Sequence, residues 1–440
     1  MAAAQSGAGG RPWYLTRRWL TVAPAMLLLW IIGQVDKTNV SLIIANRDFL
    51  QELNLVGHNA QLGGLMSAFF IGYGVAIFLW GFLVDRFGPR VCALAGMFCW
   101  AVILFLNSRV GGINEYLGFR LLLGVAEGNL WPVCNALTNR WFPVREHSRI
   151  QAFWITGSTL GTAIGVPIVT ALILATGWRG ALAWLGAVSL IPVGFFLFVS
   201  NWPRENHRIS ARELEEIEQG RKPQGAVVPL SFRELLRSRP FWLIAFCQVV
   251  SATTIYTMVQ WIPSYLTRFR QMPFAEMAPW LTAGYVGATV LTLLVGYIGD
   301  RTMQRPLTAA WTCLIFSLAV MPAGLFFSPE WSAVLLAALV AQASSIAALN
   351  GALMHTLVRP EAIARGTGIY VGVANFVSAA GPAIFGTLIT RLEGAYWGGF
   401  LFLALLSLAG VIGYWSLHRI SRRAAETAAM GLASARAALR

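Results

Sequence analysis

Twelve stretches of this sequence are long and apolar enough to cross a bilayer, and that repetition limits the fold more than any other feature. A spanning helix needs about 20 mostly apolar residues. Such runs lie at roughly 19–45, 61–84, 91–108, 114–138, 150–173, 180–200, 240–265, 278–299, 306–327, 331–353, 366–390 and 394–418. Of the 440 residues 57% are hydrophobic and 12% charged, whereas a soluble chain has about 45–50% and 25%. A soluble globular enzyme and a disordered chain are excluded. The pattern predicts an all-α integral membrane protein with twelve transmembrane helices, the lipid bilayer being its first partner.

The net charge of +14 comes from 31 Arg and only two Lys, Lys37 and Lys222. The arginines sit in short loops between apolar runs, without the aromatic-interleaved basic stretches of a nucleic-acid binder. Of the 33 basic residues, 25 fall in one set of loops and six in the alternate set. Positive charge marks the cytoplasmic side, so both termini and the central loop are expected there. The expected segments are a tail over 1–18, a first helical half over 19–200, a central loop over 201–239, a second half over 240–418 and a basic tail over 419–440. In the central loop, Ser210-Ala-Arg-Glu213 has capping-box spacing and predicts a short surface helix, read functionally as a solvated connector. Cys92, Cys99, Cys134, Cys247 and Cys313 lie in apolar runs without CxxC or Cys/His spacing. They are read as small buried hydrophobes, and no metal site is expected.

The chain also repeats itself. Gly81-Phe-Leu-Val-Asp85-Arg86-Phe-Gly88-Pro-Arg90 follows the second helix, and Gly296-Tyr-Ile-Gly-Asp300-Arg301 follows the eighth. Each occupies the same place in a set of six. The architecture is therefore six plus six, with a substrate site between related halves near mid-membrane. The first copy resembles the loop signature of the major facilitator superfamily. That resemblance implies two pseudo-symmetric six-helix bundles and a conformational role for Gly81, Asp85, Arg86, Gly88, Arg90, Asp300 and Arg301. A monomer is the default for such a fold.

Ionisable residues inside a membrane are expensive and are functional candidates by default. Four fixed charges fall deep in predicted helices: Asp36, Lys37, Arg120 and Glu127. They sum to zero and lie on helices one and four. Arg120 and Glu127 are seven residues apart, so they point about 20° apart on one face, ~10 Å along the axis. Gly124 lies between them on that stripe, where a small residue can leave a wet cleft, and Trp131 extends it. Asp36 and Lys37 are adjacent and cannot face one another. One arrangement sets Asp36 against Arg120 and turns Lys37 toward a cavity, with Asn39 on the face of Asp36. The alternative is two acid–base pairs that merely hold two helices together. A compact Lys charge in so Arg-rich a chain argues for a specific task.

Arg120-Leu-Leu-Leu-Gly-Val-Ala-Glu127-Gly-Asn-Leu-Trp131-Pro132, with Asn139-Arg140-Trp141-Phe142-Pro143, resembles the anion:cation symporter family of the superfamily. So do Asp36-Lys37-Thr38-Asn39-Val40, Trp261-Ile-Pro263-Ser-Tyr265-Leu, Gly366-Thr-Gly368, Asn375 and Gly381-Pro382. The resemblance implies import of organic anions with protons: sugar acids, phthalate-like aromatics and other carboxylates. By it Asp36 and Glu127 correspond to the proton-coupling acids, Arg120 to the partner that controls Glu127, and Lys37 to the base that meets the substrate carboxylate. Tyr73, Gln260 and Asn375 fall where polar substrate contacts are expected. Trp131 and Trp261 are positioned to flank the cavity, and Tyr370 is a candidate by its helix face. Two departures argue against a simple sugar-acid assignment. Lys37 stands where the family commonly has Arg, without the bidentate fork. Gln34 stands where sugar-acid members often have Tyr. The Gly-Pro-x-x-Gly-Gly of drug/proton antiporters is absent from helix five.

The expected mechanism follows. Facing outward, Asp36 and Glu127 take up protons, Arg120 is loosened, and an anion docks on Lys37. The neutralised centre then lets the halves rock. A carboxyl in apolar surroundings holds its proton more tightly than in water, as coupling requires. No cofactor is expected beyond the proton as coupling ion, and the expected location is the inner membrane. Rival readings are an exporter or passive facilitator of the same fold, a membrane sensor, and a polytopic membrane enzyme. The last needs a nucleophile–base pair or metal cluster, and no HExxH, GxSxG or clustered His/Asp is present, so catalysis is not expected.

Overall fold

The computed structural model describes residues 15–438 apart from 144–145, 221–233, 235–236, 303 and 358–359. Among the described residues every regular element is a helix. Span one is Ala23–Ile43, entered through a π-helical turn at Arg18–Val22. Spans two and three are Asn59–Phe87 and Pro89–Asn107. Span four is cut into Ile113–Glu127 and Leu130–Trp141. Spans five and six share the helix His147–Val188, which turns at Gly177, and span six continues as Ile191–Phe196. Spans seven to ten are Arg239–Ser264, Phe274–Thr302, Arg305–Leu325 and Pro329–Leu357. Span eleven is cut into Pro360–Ser378 and Ala380–Arg391, and span twelve is Trp397–Ala438.

Among the described residues eight stretches are individually long and apolar enough to cross a membrane. One of them, Arg149–Phe196, holds two passes, because Gly177 takes φ +71° and reverses the chain. Spans eight and ten, with 29 residues each, are about 43 Å long at 1.5 Å per residue, enough for a hydrocarbon core of about 30 Å. Large apolar side chains such as Phe82, Leu318 and Ile412 face outward, as a chain solvated by lipid allows.

Three helices read as continuous from the sequence are broken, each for the same reason. Proline lacks an N–H, and its ring displaces the carbonyl four residues earlier. Pro132 acts on Gly128, Pro192 on Val188 and Pro382 on Ser378, and each of these carbonyls lies at or beside a helix end. The breaks matter because Glu127 and Ser189 end up beside them. Span twelve also departs from expectation: the predicted basic tail continues the helix to Ala438. Its alanines favour helix and no proline interrupts them. Of the five cysteines Cys99 is exposed and the others are buried, and all are free.

Spans one and five, two and four, and three and four pack on each other. In the second set, span seven packs on ten and twelve, and span nine on twelve. Contacts between the sets run from span two to eleven, from the helix shared by spans five and six to span eight, and from one to seven. They are tightest at the end away from the chain termini. A Cβ on Gly63 would lie 2.3 Å from the Pro382 carbonyl oxygen, so only glycine fits there. Arg268 Nη2 donates to Asn59 Oδ1 at 2.6 Å and to the Tyr396 hydroxyl at 3.2 Å. The halves are therefore closed against each other at that end. Nearby Glu52 accepts from Trp178 Nε1 at 2.7 Å and Arg179 Nε at 2.8 Å. Its slight burial raises the carboxyl pKa, but these bonds outweigh it and hold the pKa below the ordinary value. Its contribution to stability is thus present above the ordinary glutamate range and lost as pH falls below that range through the depressed value of the folded protein.

The central segment is not merely a solvated connector. Ser210 Oγ accepts from the Glu213 amide at 3.2 Å and caps the helix Ala211–Gly220, as its spacing predicts. That helix is docked through Arg18, whose side chain is fully buried. Arg18 Nε and Nη2 reach Glu146 at 3.0 and 2.9 Å, and the guanidinium also meets Glu213 and Glu216 at 3.4 and 3.3 Å. The Arg17 and Arg18 amides donate to Glu213 at 3.0 Å. Removing one member of a buried ion pair costs about 3–5 kcal/mol. Arg18→Ala is expected to lower thermal stability by that order and to speed proteolysis around residue 220, and Glu216→Gln to change neither much.

Candidate functional site

The four intramembrane charges are all buried, none more than 7% exposed. Their arrangement differs from the simplest expectation. Asp36 does not pair with Arg120. Its Oδ2 accepts the Ser189 hydroxyl at 2.6 Å, and its Oδ1 has no protein partner. Ser189 reaches Asp36 from the turn that Pro192 imposes on span six. Arg120 turns to backbone instead: Nε to the Leu65 carbonyl at 3.4 Å and Nη2 to the Lys37 carbonyl at 3.5 Å. Its Cζ lies 4.9 Å from the Phe69 ring centre. One guanidinium thus ties spans one, two and four.

Lys37 faces aromatic rings. Its Nζ is 4.7 Å from the ring centre of Tyr73, 5.8 Å from Phe69 and 5.9 Å from Trp30, distances at which a cation is attracted to a π face. Behind Trp30 stand Trp154, stacked at 5.0 Å, and Trp131, edge-on at 5.1 Å. Glu127 is within electrostatic reach of Lys37, yet neither of its oxygens accepts a hydrogen bond from the protein. Buried carboxyls almost always have partners. This one lies at a helix end, where Gly128 and Asn129 interrupt span four. Asn39, also buried, has no protein partner at either amide atom.

Gly124 does not open a cleft. It lets spans two and four touch: a Cβ there would lie 2.0 Å from the Phe69 carbonyl oxygen and 2.9 Å from the Tyr73 nitrogen. Overpacking typically costs about 1–3 kcal/mol. Gly124→Ala is expected to lower stability by that order and to displace Phe69 and Tyr73 from Lys37; thermal unfolding measures the first effect.

The second half contributes at the contact. Gln260 Nε2 donates to the Leu62 carbonyl at 3.2 Å and leaves its Oε1 without a partner. Asn375 accepts from the Tyr256 hydroxyl at 2.9 Å, and Tyr256 stacks on Phe70 with ring centres 3.7 Å apart. Gln34 lies between Ser158 and Thr162, bonded to both at 3.2 Å. Trp261 and Tyr265 are placed elsewhere, in an aromatic cluster with Phe385, Tyr396 and Phe400. Trp261 Nε1 donates to the Pro382 carbonyl at 3.0 Å, and the Tyr265 hydroxyl donates to the Gly324 carbonyl. Tyr370 packs with Phe241, Cys247 and Tyr414 in a separate apolar cluster.

At the end bearing the termini, Gly88 turns with φ +87° against Asn201. Arg90 Nη2 donates to the Leu197 carbonyl at 3.1 Å. Asp85 and Arg86 are exposed, Arg86 lying over Phe87, and a Cβ on Gly81 would meet nothing within 4 Å. Arg301 is exposed, and the side chain of Asp300 lies outside the described residues. No cluster of His, Cys, Asp and Glu among the described residues has metal-binding geometry.

Sequence reasoning missed Ser189, Tyr256, Trp30 and Phe69. Tyr256 had a signal, since it lies one helical turn before Gln260 and shares its face. Ser189 had only its proximity to Pro192.

The chain is 28% identical over 398 residues to a probable sulfoacetate transporter of Cupriavidus necator, covering 84% of this chain and 87% of that one. It is 26% identical to a probable L-galactonate transporter of Escherichia coli K12, covering 90% and 89%. It is also 26% identical to a hexuronate transporter of Bacillus subtilis 168, covering 89% and 94%. These relatives carry organic anions. Among solved structures, a bacterial homologue of the human lysosomal transporter Spinster, inward-facing and unoccupied, superposes with TM-score 0.73 at 16% identity, covering 93% of this chain and 98% of that one. Residues 26–341 match the Major Facilitator Superfamily. The protein is thus a multi-pass membrane protein of known transporter architecture, and it belongs to the Major Facilitator Superfamily.

Proposed function

We propose that the protein is a secondary active transporter that imports a small organic anion, a carboxylate such as a sugar acid, together with protons by alternating access. The observation that carries this reading is that a ring-faced ammonium, Lys37, and a carboxyl with no protein hydrogen bond, Glu127, are buried within electrostatic reach of each other. While Glu127 is charged it opposes Lys37. Once it is protonated, Lys37 is free to hold a carboxylate. Asp36 supplies a second proton site, and Arg120 keeps spans one, two and four together while the charges change. The proton is the coupling ion and no other cofactor takes part. The closed end away from the termini then corresponds to a state facing the cytoplasm, with both termini on that side of an inner membrane and the protein acting as a monomer.

A second reading, transport of an aromatic phthalate-like carboxylate, is favoured by the Trp30, Trp131 and Trp154 cluster beside Lys37. Uptake into proteoliposomes under an inward proton gradient, over a panel of aldonates, uronates, aldarates and aromatic carboxylates, tests both. Accumulation of one class that collapses with a protonophore supports symport. Exchange of preloaded anion regardless of pH, without accumulation, would sink the proposal.

A further inference from the structure

On the outer surface, at the end bearing the termini, a groove of about 500 Å³ runs between the start of span seven and span twelve. Arg237, Arg239, Trp242, Leu243, Ser416 and Ile420 line it. Among the described residues no acidic side chain does. Neither Arg237 nor Arg239 has a hydrogen bond or ion pair among the described residues. Its neighbour Arg419 is already committed, its Cζ lying 4.0 Å from the Trp415 ring centre. The lining is thus divided: two uncommitted guanidinium groups, and beside them a Trp and two aliphatic side chains. Trp242, Phe246, Ile412 and Trp415 on the same two helices are exposed, so this face looks into lipid just below the level of the arginines.

We propose that this groove binds the phosphate headgroup of an anionic phospholipid, with Arg237 and Arg239 holding the phosphate and Trp242, Leu243 and Ile420 against the first carbons of the chains. Charge complementarity calls for an anion, and guanidinium pairs suit phosphate oxygens. A soluble anion has no use for the apolar half of the lining, whereas a phospholipid fills both halves. Basic recesses between spanning helices at headgroup depth are the form such sites take. The inference does not depend on the transported substrate.

Native mass spectrometry of the full chain, titrated with phosphatidylglycerol in a zwitterionic detergent, tests it. Arg237→Gln/Arg239→Gln is expected to weaken the tightest lipid by about tenfold. Ser416→Trp, which fills the groove and keeps both charges, is expected to do the same. Arg47→Gln/Arg109→Gln, an equal loss of charge elsewhere, is expected to change it less than twofold. Inorganic phosphate at millimolar concentration is expected not to displace the lipid. Equal retention by all variants, equal loss in the control, or displacement by inorganic phosphate would each overturn the proposal, the last by making the groove a soluble-anion site.

Discussion

Glu127→Gln is expected to abolish one proton's share of driven accumulation while leaving anion exchange intact. Each co-transported proton multiplies the steady-state accumulation ratio by ten per unit of pH gradient, since one unit is worth 1.36 kcal/mol. Across two units, loss of one coupled proton lowers the ratio about 100-fold. Exchange needs no net change in protonation, so it persists. The substitution is nearly isosteric, and Glu127 makes no protein hydrogen bond that Gln would have to replace. The variant therefore mimics the protonated state and leaves Lys37 free to bind. Accumulation under an imposed gradient, measured beside counterflow in the same vesicles, separates the two. Unchanged accumulation would return Glu127 to a structural role.

Lys37→Gln is expected to remove anion binding itself. Hydrogen bonds to charged groups contribute about 1.5–3 kcal/mol, so affinity should fall by roughly 10- to 100-fold in uptake and exchange alike. The fold is also at risk, because Glu127 then lies buried without its counter-charge, and an uncompensated buried charge costs about 3–5 kcal/mol. Lys37→Gln/Glu127→Gln removes both charges and is expected to recover thermal stability without recovering transport. Lys37→Arg keeps the charge but forces a planar fork among Trp30, Phe69 and Tyr73, and should restore binding only in part. If Lys37→Gln bound the substrate as tightly as the unaltered protein, Lys37 would not be the anion's partner.

Much of the fold was legible because lipid imposes it. Twelve apolar runs, the repeated Gly-to-Arg signature after spans two and eight, and the biased Arg distribution all follow from covering backbone in hydrocarbon and keeping charge out of it. The four buried charges were legible for the same reason. Their partners were not. Helical spacing gave the faces of Asp36 and Arg120 but not the break that decides the contact of Asp36. Pro192 turns Ser189 onto Asp36, and Arg120, long enough to choose, takes the Leu65 and Lys37 carbonyls. Trp261 and Tyr265 looked like cavity residues from a local motif, yet their polar atoms serve to cap carbonyls at Pro382 and Gly324. Arg18 was counted as one more positive-inside residue. Its burial among Glu146, Glu213 and Glu216 depends on three segments meeting, which no local pattern records.

If anion and proton move together past Lys37 and Glu127, uptake of one must carry the other. The most direct measurement is the internal pH of proteoliposomes, read by a trapped dye, when a transported anion is added outside with no imposed gradient. The lumen is expected to acidify in proportion to the anion taken up, and not to acidify with Glu127→Gln/Asp36→Asn, even though this variant still exchanges anion. Uptake of labelled anion with no change in internal pH would contradict that coupling.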